Sequence, residues 1–155
     1  MRILVSACLL GVCCKYSGGH NDCPAVRSLA RTHCLIPVCP EQLGGLPTPR
    51  APSERQGERV TDRDGRDVTA CFLRGAEQAA LLAKQLQAQC AVLKSRSPSC
   101  GVGRIYDGTF TGRLVPGSGV TAQKLAEEGL PVFSEEELDC LAQFMAQNEP
   151  KVTET

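Results

Sequence analysis

The chain has 155 residues, with 17 basic against 17 acidic side chains, no Trp and only 4% aromatic residues. That length suits one domain with one core. Zero formal charge and few aromatics argue against nucleic acid or an anionic membrane as the partner and favour a small molecule.

Arg2 to Ser6 reads as a buried strand that ends in the small residues Ser6, Ala7 and Cys8. Its apolar start, Ile3-Leu4-Val5, is too short for a signal-peptide core, and no later stretch approaches the ~20 apolar residues of a membrane span. The expected location is therefore the cytoplasm. After a Gly-rich loop, Pro24 suits the first turn of a helix to about His33, and Cys34 to Val38 reads as a second strand stopped by Cys39-Pro40. Pro40 to Arg66 carries four prolines and four glycines, which predicts one long ordered loop, a functional lid. Phe72, Ala76, Ala79, Ala83 and Leu86 recur at helical spacing and predict a long helix between Val68 and Gln89. Ala91 to Leu93 gives a third strand, followed by the turn Ser95-Arg96-Ser97-Pro98-Ser99-Cys100-Gly101. Asp107-Gly108 between Ile105-Tyr106 and Thr109-Phe110-Thr111 predicts a hairpin. A helix from about Ser118 to Glu128, a strand Pro131 to Phe133, and a final helix to about Gln147 complete the chain. Ser134 with Glu137 has the spacing of a capping box for that last helix.

Strands alternating with helices imply an α/β fold, a Rossmann-like or flavodoxin-like three-layer sandwich with a parallel sheet and the long loop over its carboxyl edge. Residues 1–148 are expected to form one domain and 149–155 a flexible tail. In such sheets ligands bind beyond the carboxyl ends of the strands, where strand order reverses. Cys8, Cys39 and Cys100 each follow a predicted strand end, so they should converge there.

In a reducing compartment the ten cysteines read as ligands, catalysts or buried small hydrophobes before they read as disulfides. None has the C-x-x-C spacing of a zinc ribbon, a thioredoxin-like site or a bacterial ferredoxin run. Three distant thiolates at one sheet edge suit a metal or cluster with one coordination position left open. Burial is the simpler reading for Cys71, Cys90 and Cys140 in helical patterns and for Cys34 at a strand start. Cys13, Cys14 and Cys23 in the first loop read as spectators. Gly101-Val102-Gly103-Arg104 lacks the third glycine of a dinucleotide fingerprint, and His20 has no partner that makes it a triad member.

Three segments in order, Ser6-Ala7-Cys8-Leu9-Leu10-Gly11, Cys39-Pro40-Glu41 with Gly44-Gly45-Leu46, Pro49-Arg50 and Pro52, and Leu93-Lys94 leading to Ser97-Pro98-Ser99-Cys100-Gly101, resemble the thiouracil desulfidase (TudS) family. The resemblance spans most of the chain. It implies a [4Fe–4S] cluster on Cys8, Cys39 and Cys100, with one iron free to act as a Lewis acid on substrate sulfur. The implied reaction takes sulfur from 2-thiouracil or 4-thiouracil without net redox chemistry, giving uracil and sulfide. Glu41 is then the expected general base or acid, and Ser97 resembles the family's catalytic serine. Ser99 is a second candidate for that serine's task or for substrate contact. Arg50 and Lys94 are candidates for binding the pyrimidine oxygen or developing negative charge, although Arg50 serves equally to brace the lid through Glu54. The alternative is a non-catalytic module that holds metal or sulfide on the same cysteines. The expected partner is a small thiolated nucleobase or nucleoside, with no membrane and no nucleic acid, and the oligomeric state is open.

Overall fold

The computed structural model describes residues 1–149. In chain order the elements are β1 (Arg2–Ser6), α1 (Pro24–Arg27), β2 (Cys34–Val38), α2 (Pro40–Leu43), β3 (Ser53–Gln56), β4 (Arg59–Asp62) and α3 (Thr69–Gln85). They continue with β5 (Cys90–Leu93), β6 (Arg104–Tyr106), β7 (Leu114–Pro116), α4 (Val120–Glu127), β8 (Val132–Ser134) and α5 (Leu138–Asn148). Among these, no helix is long and apolar enough to cross a membrane.

The core is a parallel four-stranded sheet of order β2-β1-β5-β8. β1 is central because every residue from Ile3 to Ser6 is buried, as a strand covered on both faces requires. Successive side chains take opposite faces. Ile3, Val5, Cys90 and Val92 pack with Val26 of α1 and Leu141 of α5. On the other face Leu4, Ile36, Ala91 and Leu93 meet Ala80 and Ala83 of α3 and Leu125 of α4. Helices on both faces make the three-layer α/β sandwich expected from the sequence. Because β2 and β5 flank β1 on opposite sides, strand order reverses at β1, and the crevice for ligands lies at its carboxyl end.

The region 40–66 differs from the single loop expected. It holds the short helix α2 and an antiparallel hairpin of β3 and β4, closed by Gly57-Glu58 with Gly57 at φ +59°. Its polar residues hide the pattern, since one apolar side chain, Val60, is what packs it on Phe72 and Ala76 of α3. Arg55 also ties β3 to α4, donating to the Ser118 carbonyl at 2.7 Å and to Gln123 Oε1 at 2.7 Å. The second hairpin exists with different arms. β6 pairs with β7, and Asp107-Gly108 opens a long connection rather than a tight turn. The helix expected from Pro24 to His33 is α-helical only to Arg27 and then becomes a 3-10 turn at Ser28–Arg31. The expected capping box forms only in half: Ser134 N donates to Glu137 Oε2 at 2.8 Å, but Ser134 Oγ accepts from Glu136 N at 3.2 Å rather than from Glu137 N. α5 starts at Leu138 with Glu137 as its N-cap, so Ser134 is not the N-cap expected from the sequence. The expected tail lies, from residue 150 onward, outside the described residues.

Candidate metal centre

A cavity of about 470 Å³ opens at the carboxyl edge of the sheet, and Cys8, Cys39 and Cys100 all line it. Cys8 follows β1 directly, in a 3-10 turn over Ala7–Leu10 that Gly11 closes at φ +88°. Cys39 follows β2 with extended backbone, as proline at the next position demands, and Pro40 begins α2. Cys100 lies in the turn after β5, where Ser97 Oγ accepts the backbone N–H groups of Ser99 at 3.1 Å and Cys100 at 3.0 Å. Thus three strand ends each deliver one sulfur to one cavity.

Cys14 joins them. Cys14 is 2% exposed and lines the same cavity, its carbonyl accepting from Cys39 Sγ at 3.6 Å. Hydrogen bonding from the Cys14 side chain is the main cause lowering the Cys39 thiol to about 6 and the Cys8 thiol to about 7, against the opposing effect of burial. Cys14 is pushed well up in return, chiefly by hydrogen bonding to Cys39 and Cys8. Burial pushes the Cys100 thiol up to about 12, and negative charge at Cys8, Glu41 and Cys39 adds to it. A metal ligand must be a thiolate, and a metal's charge deprotonates a coordinating thiol. Cys8 and Cys39 thus favour the thiolate form a metal takes, and Cys100 favours the thiol unless positive charge lies beside it. Among the described residues, no three His, Cys, Asp or Glu side chains are grouped closely enough to chelate one ion. Three cysteine sulfurs on one cavity are the donor chemistry an iron–sulfur cluster takes.

Glu41 lies in the first turn of α2, with its side chain 16% exposed and on the cavity. Arg50, 6% exposed, donates from Nε to Glu41 Oε1 at 3.0 Å. Burial raises the Glu41 pKa, and the charge and hydrogen bond of Arg50 oppose it. Arg50 also donates to Pro47 O, Thr48 Oγ1 and Cys14 O at 2.9 to 3.1 Å. Four of the five guanidinium protons are thus committed, and Arg50 braces Glu41 and the first loop. Its partner is Glu41 and not Glu54, which instead accepts backbone N–H groups of Gly108 and Phe110 at 3.1 Å each.

Lys94 borders the cavity, but its ammonium donates to Glu135 Oε1 at 2.6 Å, Ser95 Oγ at 2.8 Å and Ser95 O at 3.3 Å. All three protons are occupied within the protein, so the geometry gives Lys94 a structural task in place of the expected substrate contact. Ser97 lines the cavity. Its oxygen accepts two backbone bonds, which leaves its own proton available to donate. Ser99 is turned away. Its hydroxyl is buried and pairs with Thr121 Oγ1 at 3.0 Å, so the sequence expectation for Ser99 does not fit the site.

A family model described as 2-thiouracil desulfurase matches residues 3–137. The chain belongs to that family. A Bacillus subtilis (strain 168) relative of this desulfurase-family chain, the uncharacterized protein YbbK, is 42% identical over 147 residues, covering 88% of this chain and 97% of YbbK. A solved structure of the [4Fe-4S]-dependent thiouracil desulfidase TudS is 45% identical, with a TM-score of 0.89, covering 94% of this chain and 98% of that one.

Sequence reasoning missed several residues at the site of this family member. The sequence marks Cys14 as a spectator; folding brings it onto the cavity, where Gly11 turns the first loop back toward Cys8. Tyr16, Tyr106 and Phe110, three of the chain's six aromatic residues, line the cavity. Low aromatic content therefore says little here, because half of it is concentrated at one place. Burial held for Cys90 but not for Cys34 or Cys140, which are exposed, or Cys71, which is half-buried. A strand edge and a helix flank leave those thiols facing outward.

Proposed function

We propose that this chain is a [4Fe–4S]-dependent desulfidase that hydrolyses 2-thiouracil or 4-thiouracil to uracil, with sulfide as the second product. The observation that carries this reading is the meeting of Cys8, Cys39 and Cys100 with Glu41 and Ser97 around one cavity. Family membership and the likeness to TudS support it.

Cys8, Cys39 and Cys100 would hold the cluster. When bound, the cluster supplies an iron without a protein thiolate, a soft Lewis-acid position suited to a thiocarbonyl sulfur. Replacement of C=S by C=O consumes one water and releases hydrogen sulfide, so protons move and electrons do not. Glu41 is the group placed to move them. Burial raises its pKa against the opposing pull of Arg50, the direction that favours a general acid or base among carboxyls. Arg50 fixes Oε1, which leaves Oε2 to take a proton from the attacking water and return it to departing sulfur. Ser97 offers its hydroxyl proton at the cavity wall, held in place by the two backbone bonds its oxygen accepts. It orients water or steadies the charge that grows on the ring.

Anaerobic loading tests the reading. The protein should carry about four irons per chain and convert either thiouracil to uracil with one sulfide released per uracil. A fully loaded protein that releases no sulfide from either compound would overturn it. Binding of thiouracil without release would make the chain a binding module instead.

A further inference from the structure

The two small hairpins meet at the cavity mouth. β3 contributes Glu54, the segment after β4 contributes Arg63, and the connection between β6 and β7 contributes Phe110, and all three line the cavity. Phe110 holds φ +58°, a left-handed conformation that a bulky aromatic residue adopts only under constraint. The constraint is visible. Glu54 Oε1 accepts the backbone N–H groups of both Gly108 and Phe110 at 3.1 Å, on either side of Thr109. Asp107 Oδ1 accepts Thr109 N at 2.9 Å and Thr109 Oγ1 at 2.6 Å, which pins the same turn from within. The Arg63 guanidinium lies 5.8 Å from the Phe110 ring centroid, covering one face of the ring.

Strained backbone persists where surrounding bonds over-determine it, and a carboxylate spent on two loop amides is an unusual outlay for a surface turn. What the outlay achieves is placement of one aromatic ring at the mouth of a site whose substrate is a flat ring. We infer that Phe110 is the stacking platform for the pyrimidine and that Glu54 is a positioning residue acting through it. The inference rests on the thiouracil reading and adds the element that selects planar heterocycles over small acyclic thiocarbonyls. Stacking acts alike on substrate and transition state, so its loss appears in KM and hardly in kcat.

The test uses the cluster-loaded protein and variants F110A, F110W, E54A and E54Q, with iron content and urea midpoint recorded for each. Uracil serves as a probe that has the ring and lacks the sulfur, so its affinity by calorimetry reports the platform independently of turnover. F110A is expected to weaken uracil binding and raise KM for thiouracil by about tenfold, within the range of aromatic–base stacking, at unchanged iron content and nearly unchanged kcat. F110W should restore both. E54A should reproduce F110A in part, and E54Q, which keeps an acceptor oxygen, should rescue it. Thiourea, a thiocarbonyl without a ring, should bind wild type and F110A alike. Unchanged uracil affinity and KM in F110A, with wild type active on thiouracil, would overturn the platform and leave the desulfidase reading intact. A loaded wild type that neither binds uracil nor turns over thiouracil would overturn both.

Discussion

At the scale of single residues, Glu41 shows how position alone shifts an ordinary carboxyl. Burial raises its pKa, and the charge and hydrogen bond of Arg50 oppose that rise. Glu41→Gln preserves shape and the Arg50 contact and removes the exchangeable proton. We expect kcat to fall by about 10²–10⁴-fold, the usual worth of general acid–base catalysis, with iron content unchanged; steady-state assays beside iron analysis check this. The cysteines separate in the same way. Cys100→Ser should lose iron and activity together, whereas Cys140→Ser, at an exposed position outside the cavity, should keep both. Equal loss in the two would show that the anchors are misassigned. That Cys8, Cys39, Cys100 and Glu41 gather at one cavity was legible in the sequence, because each sits beside a strand end or a proline that fixes local backbone. The true engagements of Arg50 and Lys94 were not, since a long cation's partner depends on tertiary neighbours such as Glu135, 41 residues away.

At the scale of elements, the site depends on how closely a few backbones approach. Gly44 at the end of α2 and Gly75 within α3 face each other, and a Cβ on Gly75 would collide with the Pro40 carbonyl, while one on Gly44 would collide with that of Cys71. Gly75→Ala should therefore push α2 outward, moving Cys39 and Glu41 with it. Overpacking of this kind costs about 1–3 kcal/mol, read as a lower urea midpoint, and cluster retention should weaken in the same variant. Glu135, just past β8, latches onto β5's end through Lys94 and Ser95. Burial alone would raise its pKa, but the Lys94 and Ser95 bonds outweigh it and hold the carboxyl below the ordinary range. A depressed carboxyl stabilises the fold above its unfolded pKa, about 4.3. That stability is lost as pH falls through the lower folded value. Wild type should thus lose stability below about pH 5, and Glu135→Gln should be less stable at pH 7 yet show a flatter acid limb in urea titrations at stepped pH. The element boundaries legible in the sequence follow the same physics. β1 came out residue for residue because a doubly covered strand is a continuous apolar run, and β2, an edge strand with Cys34 and Pro37 exposed, because Cys39-Pro40 stops it. β3 and β4 stayed hidden because Ser53-Glu54-Arg55-Gln56 carries no apolar alternation, and their anchor is Val60 against a helix not yet placed.

At the scale of the whole molecule, the strand order places three sulfurs that are far apart in sequence at one edge. Cys8, Cys39 and Cys100 come from the ends of β1, β2 and β5, neighbours in the sheet by virtue of two crossovers. A group bonded to all three joins the first third of the chain to its middle, yet the packed layers on either side of the sheet do not depend on it. Those layers bury Ile3, Leu4, Val92 and Leu125 almost completely through contacts among themselves. The apo protein should therefore fold, and the cluster should add stability to a structure already formed. A ligand that binds only the folded state at a hundred times its dissociation constant adds about 2.7 kcal/mol. For a chain of this length that is roughly a 5–10 °C rise in melting temperature. Anaerobic thermal scans of apo and loaded wild type, with Cys100→Ser taken through the same loading, measure it. Loaded wild type should melt higher than apo, and Cys100→Ser should gain little, because two remaining anchors on adjacent strands no longer tie in the turn after β5. If loaded and apo wild type melt together at full iron content, the iron is held elsewhere than across these three strand ends.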